Sequence, residues 1–331
     1  IGFDPYVGNT TRAAAKGTDL SALQAEGAGF IVLGGYEDSQ TYVPVFDGTN
    51  ETGSHITWNK SSWEYSPINY WLEGKTYKFV AYAPAKLQEG DLFDIDYAGN
   101  KLKMKDGGTF TADGETDLVV AEGKPQGYPV AAEPVQMETV GFKFYHALSK
   151  VKFTFINGWR NAVTLKITNI KLSNVKNTGS LTTSGTMAQG SDKIQLSAWS
   201  GQTGTADYED KADGMNTDEY EASYEFENFL LPTVLDDSQM KLTFTVQVTN
   251  SQGTSPDLGA GAGNPVNKEV VIPKDVVTEW MPGYAYNYKL TISGSTFGLK
   301  PIQFDDIDVD SEWGNGGEDD MDEEIEVVPG A

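Results

Sequence analysis

KLTFTVQVTN, residues 241–250, decides the fold class. Leu242, Phe244, Val246 and Val248 alternate with Lys241, Thr243, Thr245 and Gln247. Only an extended chain sends successive side chains to opposite faces, so this is a strand with one apolar and one polar face. The same period of two recurs on both sides of it. In KTYKFVAYAP (75–84), Tyr77, Phe79 and Ala81 share a face, and a proline ends the run. In YAYNYKLTIS (284–293), Tyr284, Tyr286 and Tyr288 alternate with Ala285, Asn287 and Lys289. VTLKITNIKL (163–172) begins with Val163, Leu165 and Ile167 in phase. Val, Ile, Thr, Tyr and Phe dominate these runs, as a pleated, half-buried surface favours. The 36 glycines and 14 prolines between them are the punctuation of many short strands. One short helix is expected in TDLSALQAEG, with Asp19 as N-cap, Leu20 and Leu23 on one face and Gly27 as the stop. The chain is therefore all-β, without the βα alternation of a nucleotide-binding sheet.

Composition narrows the chemistry. The 331 residues carry 24 basic and 48 acidic side chains, a net charge of −24. Nucleic acid is excluded as a partner, because phosphate binding needs a Lys/Arg surface, and no basic patch is available for an anionic membrane. There is no cysteine, hence no disulfide, thiolate metal site or Cys nucleophile. The histidines are His55 and His146 alone, so a Ser–His–Asp triad or a His-based zinc site has almost nothing to be built from. Carboxylate-only chemistry of the glycosidase kind stays open on composition. The chain starts at Ile1 with no apolar leader, which fits a targeting segment removed upstream.

Local clusters read as follows. Asp306, Asp308 and Asp310 match positions one, three and five of a calcium loop. Ser311 stands where that loop needs Gly, and Gly317 where it needs Glu. An edge strand with charge-blocked pairing fits them better than a metal site. GAGAGN (259–264) lacks the Lys-Ser/Thr of a phosphate loop and reads as a plain loop. His146 falls on the apolar face of FKFYHALSK and is expected as a hydrogen-bonded core histidine. The acid pairs Glu37–Asp38 and Asp236–Asp237 sit in turns. Trp58, Trp63, Tyr65, Tyr70 and Trp71 are either a sugar-stacking platform or a core layer, and their large burial energies favour the core. Arg12, in NTTRAAAKG, is either a plain loop arginine or a protease-accessible site.

A domain boundary is expected near 126–139, where GKPQGYPVAAEPVQMET (123–139) carries three prolines and few aliphatics. This divides the chain into 1–138, 139–313 and an acidic tail at 314–331. Beyond it, VGFKFYHALSKVKFTFI changes phase by one residue between Leu148 and Val151, as a β-bulge near Ser149 and Lys150 would. Residues 174–222 read as long loops around a short strand at KIQLSAW. Residues 305–331 hold twelve acidic residues and no basic one, yet Ile325 and Val327 still alternate.

The order of the segments carries a resemblance. ITWNKSSWEYSPINYWLEGKTYKFVAYAP, FKFYHALSKVKFTF, FENFLLP, EWMPGYAYNYKLTI and IDVDSEW occur in that succession. The chain resembles the fimbrillin family, the shaft and accessory subunits of type V pili (the Mfa-like group). The resemblance implies two transthyretin-like Greek-key β-sandwich domains in tandem. It implies a non-enzymatic cell-surface adhesion subunit that needs no cofactor or metal, exported as a lipoprotein and attached to the outer membrane or built into a fimbria. Its partners would be other copies of itself or related pilus subunits. Assembly would follow proteolysis between Arg12 and Ala13, which frees the first strand (Ile1, Phe3, Val7). A neighbour's C-terminal strand, here the region of Ile325 and Val327, would take its place. With residues 1–12 present, the first strand is expected to fill its own groove in a monomer. Two other readings stay open: a surface module binding a glycan or host protein, and, more remotely, a carboxylate-based glycosidase.

Overall fold

The computed structural model describes residues 1–7, 17–47, 52–131, 133, 135–160, 163–189, 193–235, 240–250, 255–295, 298–299, 306–310 and 323–326. The major strands of the first sheet are β1 (Phe3–Val7), β2 (Phe30–Asp38), β3 (Thr41–Phe46), β4 (Ser54–Trp58), β5 (Thr76–Ala83), β6 (Val119–Glu122) and β7 (Val140–His146). They pair in the order β1-β7-β6-β5-β2-β4, with β3 also on β2. β1 is the parallel edge strand, Phe3 opposite Val140 and Val7 opposite Phe144; every other pair in this sheet is antiparallel.

This sheet departs from the expected single wet face. Along β5, Tyr77, Phe79, Ala81 and Ala83 enter one core, while Val80 and Tyr82 enter another on the opposite face. The first core holds Phe3, Phe30, Phe46, Phe79, Phe142 and Phe144. The second is roofed by the hairpin Phe93–Asp96/Lys101–Met104 and by Leu181, Met187, Ile194 and Trp199. Those last residues come from far along the chain. Thr178–Leu181 pairs with Phe110–Thr111 and Trp199–Thr203, and the Trp199 indole donates to the Ala147 carbonyl at 2.7 Å. In β2, Gly34 and Gly35 permit close approach: a Cβ on Gly35 would lie 2.1 Å from the Val43 carbonyl oxygen.

The remaining strands are β8 (Ser149–Asn157), β9 (Val163–Val175), β10 (Ser223–Leu230), β11 (Lys241–Asn250), β12 (Val266–Val271), β13 (Ala285–Ile292), β14 (Asp306–Asp310) and β15 (Glu323–Glu326). One sheet runs β10-β8-β13-β14-β15, and a second runs from Ala206–Glu209 through β9 and β11 to β12. Their facing sides enclose a third core, with Phe153, Phe155, Tyr288 and Leu290 from one and Leu165, Ile167, Phe244 and Val246 from the other. This is a β-sandwich in which alternate residues of each strand point inward.

Several readings need correcting. The phase change after Leu148 is not a bulge. β7 belongs to the first sheet and β8 to another, and the chain crosses between them at Ala147 and Leu148. The strand 140–146 lies beyond the expected boundary at 138 and is nevertheless hydrogen-bonded into the first sheet. A bulge does occur in β9, between Thr168 and Lys171, where Asn169 takes a positive φ of 52°. KIQLSAW forms a 3-10 turn at Leu196–Ala198, and extended structure begins only at Trp199. β14 is not an edge strand, since β15 pairs along it. The expected helix is present as Leu20–Leu23, with the Asp19 carboxylate accepting from the Ala22 N–H at 2.7 Å.

Burial pushes the phenols of Tyr82, Tyr208, Tyr286 and Tyr288 well above the usual tyrosine range. In the unfolded chain these groups ionise near pH ~10. The unfolded state therefore loses protons first, and stability that is whole below that pH falls as pH rises past it. The expected result is that part of the tyrosinate absorbance appears only together with the loss of β-sheet circular dichroism. Ionisation of all 16 tyrosines with the β signal intact would contradict this.

Candidate functional site

The opening segment sits in a cradle built by the first core. Phe3 is 5% exposed. Its ring packs edge-on against Phe46 at 5.1 Å and Phe79 at 5.7 Å, tilted against Tyr65 at 5.7 Å, and stacked on Phe142 at 5.7 Å. Such offset and edge contacts add to the area term of an aromatic side chain. Pro5 is also buried. The backbone is also held ahead of Phe3, at Ile1 and Gly2. The Val140 N–H donates to the Gly2 carbonyl at 2.8 Å, the Tyr65 hydroxyl donates to the Ile1 carbonyl at 2.8 Å, and the Ile1 nitrogen donates to the Asn69 carbonyl at 2.9 Å. Burial raises the Tyr65 phenol above its usual pKa, which keeps it a donor. β1 thus combines a backbone ladder on β7 with an aromatic plug in the core.

Arg12 and Ala13 lie outside the described residues. The described chain resumes at Gly17 and is anchored at Thr18. Asp117, buried at the start of β6, accepts from the Thr18 N–H at 2.7 Å and pairs with His146 Nδ1 at 2.9 Å, while the Thr18 hydroxyl donates to the Asp117 carbonyl at 3.2 Å. His146 is the hydrogen-bonded core histidine expected from its place on the apolar face. Leu23 then buries into the same core as Phe3. Residues 8–17 are therefore the one covalent link between β1 and a chain anchored by its own contacts.

At the other end, β15 pairs antiparallel with β14, Ile325 opposite Ile307. Val327 lies outside the described residues. Asp308 on β14 is ion-paired with Lys289 at 2.7 Å. Asp38 pairs with Lys75 at 2.7 Å, and Asp236 and Asp237 lie outside the described residues. His55 Nε2 bonds the Ala28 carbonyl oxygen at 2.6 Å, a partner with no sequence signal. The aromatic group is neither a flat platform nor fully buried. Trp63 packs on Phe30 and Trp58, Trp71 on Tyr77 and Phe79, and Tyr65 on Phe3, whereas Tyr70 is 75% exposed. Three of the five, Trp63, Tyr65 and Trp71, pack against the core that holds Phe3. Phe79 and Phe142 were legible as core residues from their alternation. Asn69 and Thr18 lie in irregular segments that carry no period.

A family model described as fimbrillin-like matches residues 11–304. The chain belongs to the fimbrillin-like family. Among solved structures, a fimbrial protein from Bacteroides vulgatus superposes with a TM-score of 0.52 at 15% identity, covering 94% of this chain and 98% of that one. At that identity the likeness bears on the fold alone, and it agrees with the β-sandwich described above. The fimbrial anchor protein Mfa2 from Porphyromonas gingivalis aligns at 10% identity and a TM-score of 0.39, covering 99% of each chain. No curated protein sequence matches.

Proposed function

We propose that this fimbrillin-like chain is a cell-surface adhesion subunit that polymerises by strand exchange after proteolysis between Arg12 and Ala13. Phe3 in its aromatic cradle, on a strand joined to the rest through one link, is the observation that supports the reading. Loss of β1 would bare the edge of β7 and the slot between Phe46, Phe79 and Phe142. A bare edge and an apolar slot are what an added strand satisfies, through main-chain hydrogen bonds and alternate side-chain anchors. The incoming strand is the 325–328 region of a neighbouring copy or related subunit, with Ile325 and Val327 as anchors. It must first leave β14. A lipidated precursor held at the outer membrane completes the reading. Neither reactive side chains nor a cofactor take part.

The chain contains two arginines, Arg12 and Arg160. An Arg160→Lys background therefore leaves a single site for an Arg-specific protease. Digestion is expected to remove residues 1–12, confirmed by mass, and to shift the protein from monomer to oligomers on size exclusion. The Arg12→Gln variant in the same background is expected to stay whole and monomeric. A product lacking residues 1–12 that stays monomeric at high concentration would count against strand exchange.

A further inference from the structure

β12 is the last strand of its sheet. It pairs with β11 from Val266 to Val271, and among the described residues no strand lies on its other side. Its outer N–H and C=O groups form an open row six residues long, enough to template a further strand. Val266, Val270 and Val271 favour the extended chain. Asn267, Glu269 and Val271 make the exposed row. The other row faces the third core, because residues directly opposite each other in an antiparallel pair share a face. Val266 stands opposite Val246, Lys268 opposite Phe244 and Val270 opposite Leu242. Val246, Phe244, Leu242 and Val270 all belong to that core. Lys268 is thus a half-buried cation on the apolar row of an edge strand, and no described residue forms an ion pair with it.

At an edge, a lysine can lay its stem along apolar surface and carry its ammonium past the strand to water. A strand added outside β12 would close that exit. The ammonium would then lie within the sandwich without a partner charge, and burying an unpaired charge is costly. Pro265 and Pro273 bound the strand and limit how far a new ladder could run. The row of β7 that meets Phe3 is the opposite case: Val140, Phe142 and Phe144 are apolar throughout. One edge carries an inward cation, and the edge beneath β1 carries none.

We propose that Lys268 closes the β12 edge to strands of other copies of this chain, so that this edge does not compete with β7 for an incoming strand. The competition with β7 rests on the function proposed above; the closure of β12 does not.

The test uses the intact, uncleaved chain, so its outcome is separate from that of the Arg12 digestion. Lys268→Val makes the inward row apolar throughout. It also removes a positive charge from a chain at −24, so general repulsion between copies grows. The variant is nonetheless expected to form oligomers on size exclusion at a concentration at least about tenfold below any at which the wild type does. Amide exchange over residues 266–271 is expected to slow as they form. Lys268→Arg keeps the cation and is expected to stay monomeric. Lys166→Val removes the same charge from the exposed face of β9, which has strands on both sides at that point, and is also expected to stay monomeric. Circular dichroism checks the fold of each variant. Lys268→Thr replaces Lys268→Val if the latter does not fold, with the same expected direction. A folded Lys268→Val or Lys268→Thr protein that associates no more than wild type would overturn the proposal. So would oligomers that leave exchange over 266–271 unchanged, or equal association by Lys268→Arg or Lys166→Val.

Discussion

Replacing Phe3 by Ala is expected to destabilise the protein by about 3–5 kcal/mol, the range for truncating a buried phenylalanine. The transfer of the ring accounts for roughly 2–3 kcal/mol. The rest is the cavity, because Phe46, Phe79 and Phe142 belong to a sheet also packed on its other face and cannot collapse inward. The loss concentrates at the edge. β1 has one neighbouring strand, so weakening the plug frees the segment before the sheet opens. Amide exchange at Val140–His146 is therefore expected to speed up before the global transition, and urea unfolding to report the shortfall. A change below about 1 kcal/mol with unaltered exchange would show that Phe3 contributes little to holding β1.

Glu122→Ala is expected to have the second large effect. Glu122, 2% exposed at the end of β6, accepts from the Gly185 N–H at 2.7 Å, the Met187 N–H at 2.8 Å and the Thr183 hydroxyl. Truncation leaves three donors facing a void, at about 1–3 kcal/mol each where water does not reach them. A loss on the order of 3–6 kcal/mol follows, since part of the site will admit water. The segment that lifts is the roof of the second core, so proteolytic nicking between 182 and 199 is expected to accelerate with β1 still seated. Glu122→Gln keeps an acceptor oxygen but turns an amide toward one donor, and is expected to fall between. A Glu122→Ala protein with wild-type urea midpoint and nicking rate would refute the latch.

How much of this was legible depends on period. β11 reads directly, because one face meets the core and the other meets solvent, so hydropathy copies burial: Leu242, Phe244, Val246 and Val248 are all buried. β5 reads as a strand but hides its second buried face, because Val80, Ala81 and Tyr82 are apolar on both sides and alternation cannot show which side is covered. The Asn169 bulge is silent, since asparagine tolerates positive φ and is common enough to carry no signal. The crossing at Ala147 and Leu148 registers as a phase change, which the sequence cannot distinguish from a bulge: both move side chains by one position.

The site divides the same way. FDPYV has too few residues for a period, and Pro5 lacks the N–H for a central strand, so residues alone favour an edge or a loop. It is the fimbrillin resemblance that singled out Ile1, Phe3 and Val7. The structure adds what those residues touch: an edge strand with one neighbouring strand, and Phe3 as its large anchor in the core. The Thr18–Asp117–His146 anchor joins residues 99 and 29 apart in the chain, separations that no local pattern spans.

The most direct measurement adds a synthetic IGFDPYV peptide to protein cleaved at Arg12 and stripped of its own first segment. If β1 is a plug for a groove that another strand can fill, the peptide is expected to reseat on β7, restore slow exchange at Val140–His146 and suppress oligomers in proportion to its occupancy. Oligomers that form equally with and without a bound peptide, or a groove that leaves the peptide free in solution, would contradict exchange of a strand between subunits.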